Sequence, residues 1–280
     1  MIALVPNNME VEPMIHLVAT DLDGTLLDSQ GKLPEGCFDA VRALKARGIR
    51  FAVSSGRTYG NIRRLFAPVA DEIDYVCENG AMCVTGGVVS DVIPIPEEMA
   101  REIIADIQAE GMNLLISGRH TTYVLDENRR YTDDIVYRLR NTVTVVDSPK
   151  EITEPVLKVS GQIDQGLQEI AFRFLAKWGG RVTATVSGAD WFDFTFANKG
   201  MGMQSLLRRL DIAPQDCAAF GDNFNDETML ELVGYPFIMA HADPQLHRPG
   251  YILCQSELPI LHKMAEGTWD ASQGRIALHP

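Results

Sequence analysis

Basic residues are scarce in this 280-residue chain: 25 Lys and Arg stand against 38 Asp and Glu, a formal net charge of -13. A nucleic-acid binder needs basic patches to meet the phosphate backbone, so that class is excluded. No apolar run reaches the length of a membrane span, and the apolar start at Met1–Pro6 is too short for the heart of a signal peptide, so no membrane partner is expected and the protein is expected to be cytoplasmic. The five cysteines (Cys37, Cys77, Cys83, Cys217 and Cys254) form no CxxC pair and are odd in number. They argue against a disulfide framework and for buried free thiols in a reducing compartment. None of the six histidines falls at a zinc-like spacing, and there is neither an internal repeat nor a low-complexity tract.

What is present is ordinary globular material, 46% hydrophobic, enough to bury a core without covalent staples. From Ile15 short apolar runs alternate with amphipathic stretches, the rhythm of strand-helix-strand units. Strands are predicted at Ile15–Thr20, Ile49–Ser54 and Asp74–Cys77, with helices over Cys37–Arg47 and Tyr59–Phe66. The pattern changes near Val84, where Gly86-Gly87 punctuates a hairpin. A helix over Pro96–Glu110, paired strand-like pieces, a helical pattern near Asp133–Arg140 and a second helix over Gln165–Trp178 then suggest an α+β module. After Ala197 the first rhythm returns. The expected fold is therefore α/β: a doubly wound, Rossmann-like parallel core sheet built from residues 14–84 and 197–266, carrying an inserted α+β cap over 85–196. Residues 1–13 and 267–280 read as loose tails.

Four short motifs bear chemistry. Asp21-Leu22-Asp23-Gly24-Thr25 follows the first buried strand, and ligands of open parallel sheets bind beyond the carboxyl ends of the strands. Two carboxylates two positions apart face one cavity if the chain bends sharply, which Gly24 permits. One can attack phosphorus while the other protonates the departing alcohol. An acidic calcium loop is the alternative, but Leu26 and Leu27 interrupt its ligand spacing. Gly221-Asp222-Asn223-Phe224-Asn225-Asp226 follows another buried strand and brings two more carboxylates to the same edge, although Asp222, Asn223 or Asn225 could simply cap the next helix. Four carboxylates in one cleft repel one another unless a cation neutralises them, and Mg2+ suits an all-oxygen site shared with a phosphate. Ser54-Ser55-Gly56-Arg57 offers a hydroxyl and a guanidinium for phosphate oxygens. Lys199 stands where a helix opens, against the helix dipole, and so needs anionic company. Gly200-Met201-Gly202 only begins to resemble a dinucleotide fingerprint, since Ser205 takes the place of the third glycine.

In this order the motifs resemble the haloacid dehalogenase-like phosphatases, and most closely the Cof-type branch with its large α/β (type IIB) cap; Asn79-Gly80-Ala81 before the insert also matches that branch. Met201, Met203 and the segment after Pro249 depart from the usual pattern. The resemblance implies a phosphoric monoester hydrolase in which Asp21 is the nucleophile that forms an aspartyl-phosphate. Asp23 protonates the leaving group and then activates water. Ser55 and Lys199 hold the transferring phosphoryl group, with Gly24, Thr25, Gly56, Arg57, Asn79 and Asn225 around the substrate. Mg2+ falls to the side chains of Asp21 and Asp222, the backbone carbonyl of Asp23, and Asp226 nearby. The implied substrates are small phosphorylated metabolites such as sugar phosphates, acted on by a monomer or homodimer. In the cap, Arg119, His120 and Tyr123 lie near a predicted strand turn and could reach a polar leaving group, or simply form an exposed polar hairpin. Two other activities use the same parts: a phosphomutase or phosphotransferase, which yields an isomeric phosphate in place of free phosphate, and a non-catalytic phosphometabolite sensor, which has no use for an acid at Asp23.

Overall fold

The computed structural model describes residues 15–125, 131, 133, 142–187 and 190–276. In chain order its strands are β1 (Leu17–Thr20), β2 (Arg50–Ser54), β3 (Asp74–Cys77), β4 (Met82–Thr85), β5 (Val88–Val92), β6 (Asn113–Gly118), β7 (Thr122–Leu125), β8 (Val143–Val146), β9 (Val156–Gln162), β10 (Thr183–Ser187), β11 (Trp191–Thr195), β12 (Cys217–Gly221), β13 (Tyr235–Met239) and β14 (Ile252–Cys254). The larger sheet has the order β14-β13-β12-β1-β2-β3-β4-β5, with every pair from β14 to β3 parallel. β1 and β12 are buried along their whole length, as strands covered on both faces must be, which is why they read as continuous apolar runs. The chain winds outward from β1 in one direction through β2 and β3, then from β12 in the other. The reversal between β1 and β12 is the crevice where such sheets bind ligands.

The helices are α1 (Cys37–Ala46), α2 (Tyr59–Leu65), α3 (Glu97–Ala109), α4 (Leu167–Trp178), α5 (Lys199–Leu210), α6 (Glu227–Leu230) and α7 (Leu258–Glu266). Among the described residues, none is long and apolar enough to cross a membrane. The six-stranded second sheet, β10-β11-β9-β6-β7-β8, is antiparallel except for β7 with β8. α3 and α4 pack on one of its faces around Ile103, Ile107, Phe174, Phe192 and Phe194. Its strands alternate: Val159 points into that core, while Lys158 and Ser160 line the opposite side. All five cysteines are free and buried.

Three expectations need correction or limits. The hairpin at the expected boundary of the insert does not belong to the smaller sheet. Gly86 and Gly87 take positive φ angles of 59° and 75°, the tight turn that joins β4 to β5, and both strands extend the larger sheet, so the crossing to the smaller one comes after Val92. Residues 267–276 are not a loose tail. Trp269 meets Tyr235 edge-on at 5.2 Å, and the Ile276 amide donates to the Tyr251 carbonyl at 2.7 Å, so an aromatic anchor and strand-like pairing hold the segment down. The helical pattern near Asp133–Arg140 and the tail at 1–13 lie largely or wholly outside the described residues.

Candidate active site

The site is built at the carboxyl ends of β1, β2 and β12. Asp21 leaves β1 in extended conformation, and the chain then turns through Gly24 at φ 93°. A Cβ at Gly24 would lie 2.2 Å from the Asp222 carboxylate, so glycine is required both for the angle and for the close approach. Thr25 donates its hydroxyl to Asp222 at 3.0 Å, which ties the first motif to the last. Asp21, Asp222 and Asp226 each present a carboxylate oxygen within 4.8 Å of the others.

Lys199, only 1% exposed, opens α5 and lies between two of these carboxylates. Its ammonium donates to Asp21 and to Asp226, each at 2.5 Å. The helix dipole opposes a cation there, and the two anions offset that cost. Although burial works against its charge, the carboxylates of Asp21 and Asp226 raise the Lys199 pKa above its usual value. Asp226 is fully buried and also accepts the amides of Asp222 and Asn223, both at 3.0 Å. It thus closes a capping box with Asn223, one of the three residues expected to cap here, whose side chain accepts the Phe224 amide at 2.7 Å, and it partners Lys199 as well. Burial pushes the Asp21 carboxyl up to about 7; Lys199 pulls it down and the Asp226 charge pushes it further up. Burial, then the Asp226 charge, raises Asp222 too.

Ser55 follows β2 and is buried at the edge of the cleft, where its hydroxyl accepts the Arg57 amide at 3.3 Å. Arg57 turns to Asp23, donating through Nε at 2.8 Å and through Nη2 to the other carboxyl oxygen. A residue expected at the phosphate is therefore a bidentate partner of the expected general acid. Asn79, at φ 54°, donates its amide to the Ser55 carbonyl at 3.0 Å and accepts from the Asn225 side chain at 3.2 Å, which joins the second motif to the fourth.

A cleft of about 1120 Å³ opens over this edge. The core contributes Asp21, Asp23, Ser55, Gly56, Arg57, Asn79 and Asn225 to its wall, and the smaller sheet contributes Lys158, Ser160, Trp191 and Asp193. Arg119 and His120 line a separate pocket of about 120 Å³ beside Tyr59, and the Tyr123 hydroxyl is engaged by Glu154 at 2.7 Å. Met201 and Met203 divide, Met203 into the core and Met201 toward solvent. Three buried residues at or near the site went unnoticed in the sequence: Glu78, Lys158 and Glu257. The signal for Lys158 was there, a lysine followed at alternate positions by Ser160 and Gln162, with Leu157 and Val159 on either side of it.

A profile of the haloacid dehalogenase-like hydrolases matches residues 18–250. The chain belongs to that family. The family member is 27% identical to the 5-amino-6-(5-phospho-D-ribitylamino)uracil phosphatase YbjI of Escherichia coli, over 81% of this chain and 86% of that protein. It is 28% identical to the HMP-PP phosphatase of Cronobacter sakazakii, over 83% and 87% of the two chains. In fold it is similar to a haloacid dehalogenase-like hydrolase from B. subtilis, with a TM-score of 0.75 and 23% identity over 89% of this chain and 99% of the other. Together with the mixed α/β insert, this places it in the Cof-type branch of phosphatases.

Proposed function

We propose that this enzyme is a Mg2+-dependent phosphatase that hydrolyses small phosphate monoesters through an aspartyl-phosphate on Asp21. One observation carries the reading: Asp21, Asp222 and Asp226 from opposite ends of the sequence converge within 4.8 Å, with a single buried ammonium, Lys199, among them. Three carboxylates and one ammonium leave an excess of two negative charges if all are ionised. A divalent ion held by oxygens would neutralise it. Asp21 and Asp222, with the Asp23 carbonyl, would hold Mg2+, and Asp226 would stand behind Lys199. When bound, the ion supplies positive charge beside the phosphoryl oxygens.

The chain's own groups account for the remaining steps. The Asp21 carboxylate attacks phosphorus while Lys199 and Ser55 bind the phosphoryl oxygens, positioning and electrostatics being the main resource in this chemistry. Asp23 gives its proton to the leaving oxygen as the ester P–O bond breaks, then accepts a proton from the water that hydrolyses the phosphoenzyme. The smaller sheet, with Ser160, Trp191 and Asp193 on the cleft wall, faces the leaving group. The two relatives are named for different substrates, so the shared fold is compatible with more than one leaving group.

The test is phosphate release from an aryl phosphate by purified protein, with Mg2+ or with chelator. Activity is expected only with Mg2+, and Asp21→Asn should abolish turnover while keeping the melting profile. Near-normal turnover by Asp21→Asn, or by wild type in chelator, overturns the reading.

A further inference from the structure

We propose that Lys158, from the smaller sheet, is a positioning residue for Asp23, acting through the Gly56–Arg57 segment of the larger one. The inference rests on the reading of Asp23 as the acid that protonates the leaving group.

Lys158 is 7% exposed, and a buried ammonium is tolerated only when paired and hydrogen-bonded. Two of its three partners belong to the other sheet's loops. It donates to the Gly56 carbonyl at 2.9 Å and pairs with Glu78 at 2.7 Å, while Asp193 on its own sheet stands 4.0 Å away. Glu78 in turn donates its amide to the Arg57 carbonyl at 3.1 Å. Two consecutive carbonyls, those of Gly56 and Arg57, are thus gripped by one ion pair. Glu78 holds a positive φ of 51°, an uncommon conformation for a residue with a side chain, and its contacts to Lys158 and Arg57 compensate for it.

With its backbone fixed in this way, Arg57 extends its planar fork onto both oxygens of Asp23. Asp23 is 59% exposed at its side chain, so this fork, and not a packed surround, aims its carboxyl. The fork suits the carboxylate, the form left once the proton has gone to the leaving oxygen and the form that receives the water proton afterwards. A physical path therefore runs from the smaller sheet to the acid: Lys158, the Gly56–Arg57 backbone, the guanidinium, the Asp23 carboxyl.

Proton donation matters in proportion to the basicity of the leaving oxygen. Phenoxide needs the proton as the P–O bond breaks, whereas 2,4-dinitrophenoxide departs without it. The test compares kcat/KM on phenyl phosphate and 2,4-dinitrophenyl phosphate, with Mg2+, for wild type, Asp23→Asn, Lys158→Met and the double variant Lys158→Met/Glu78→Gln. The double variant leaves no buried charge unpaired between these two positions and keeps the comparison available if the single variant does not fold. Lys158→Met, or the double variant, is expected to lose about tenfold or more on phenyl phosphate and less than about threefold on the dinitrophenyl ester, a milder copy of Asp23→Asn. Equal losses on both esters, or no loss on either, overturn the proposal while Asp23→Asn still discriminates between them. If Asp23→Asn itself does not discriminate, it is the general-acid reading that fails.

Discussion

The hydroxyl of Thr20 has one hydrogen and two close acceptors: the Asp21 carbonyl at 2.7 Å and an oxygen of Glu257 at 2.6 Å. One hydrogen cannot fully satisfy both acceptors; a protonated Glu257 resolves the competition, its O–H donating to Thr20 while Thr20 donates to the Asp21 carbonyl. Its surroundings agree. Glu257 is 2% exposed, its other oxygen has no protein partner, and burial, assisted by the nearby Asp21 charge, pushes its carboxyl from 4.5 up to about 8. The folded protein therefore holds a proton on Glu257 that the unfolded chain releases above its ordinary value. That contribution to stability is complete below pH 4.5 and is lost as pH rises toward about 8. At about 1.4 kcal/mol per pH unit, the loss between pH 5.5 and 7.5 is about 3 kcal/mol. Glu257→Gln supplies an N–H to Thr20 at every pH and removes the slope. Thermal melting of both proteins in chelator should show the variant gaining on wild type by roughly 5–10 °C across that interval. Melting curves that fall in parallel for the two proteins would refute a neutral Glu257.

Two further perturbations bear on the site. Lys199→Met leaves Asp21 and Asp226 without their common cation, so it should cost about 3–5 kcal/mol of stability in chelator, together with nearly all turnover, as read by melting and phosphate release. Gly24→Ala forces a side chain into a positive φ and against the Asp222 carboxylate; the stabilisation by Mg2+ seen in wild-type melting should shrink or vanish, and an unchanged metal response would refute the close approach.

The parallel core and the four motifs were legible because each is local. Buried strands such as Leu17–Thr20 and Cys217–Gly221 are continuous apolar runs, and each hands over an aspartate at its own end. Placing both motifs at carboxyl ends of one parallel sheet was enough to predict that Asp21 and Asp222 meet. The C-terminal elements were not legible. Ile252–Cys254 is too short to show a period, and Trp269 becomes an anchor only because the fold brings its ring against Tyr235 and Phe237, at 5.2 and 5.7 Å.

By itself the sequence determined the fold class, the family and the residue types that can act on a phosphate, since these follow from periodicity and from motifs a few residues long. Tertiary structure alone decided which partner each of those residues takes. Arg57 turns to Asp23, Thr25 to Asp222, Lys158 to Glu78 and Glu257 to Thr20, pairings that span between 34 and 237 positions of the chain. A side chain's charge is written in the sequence. Its neighbour across a sheet edge is set by strand order and register, and so are its protonation state and its direction.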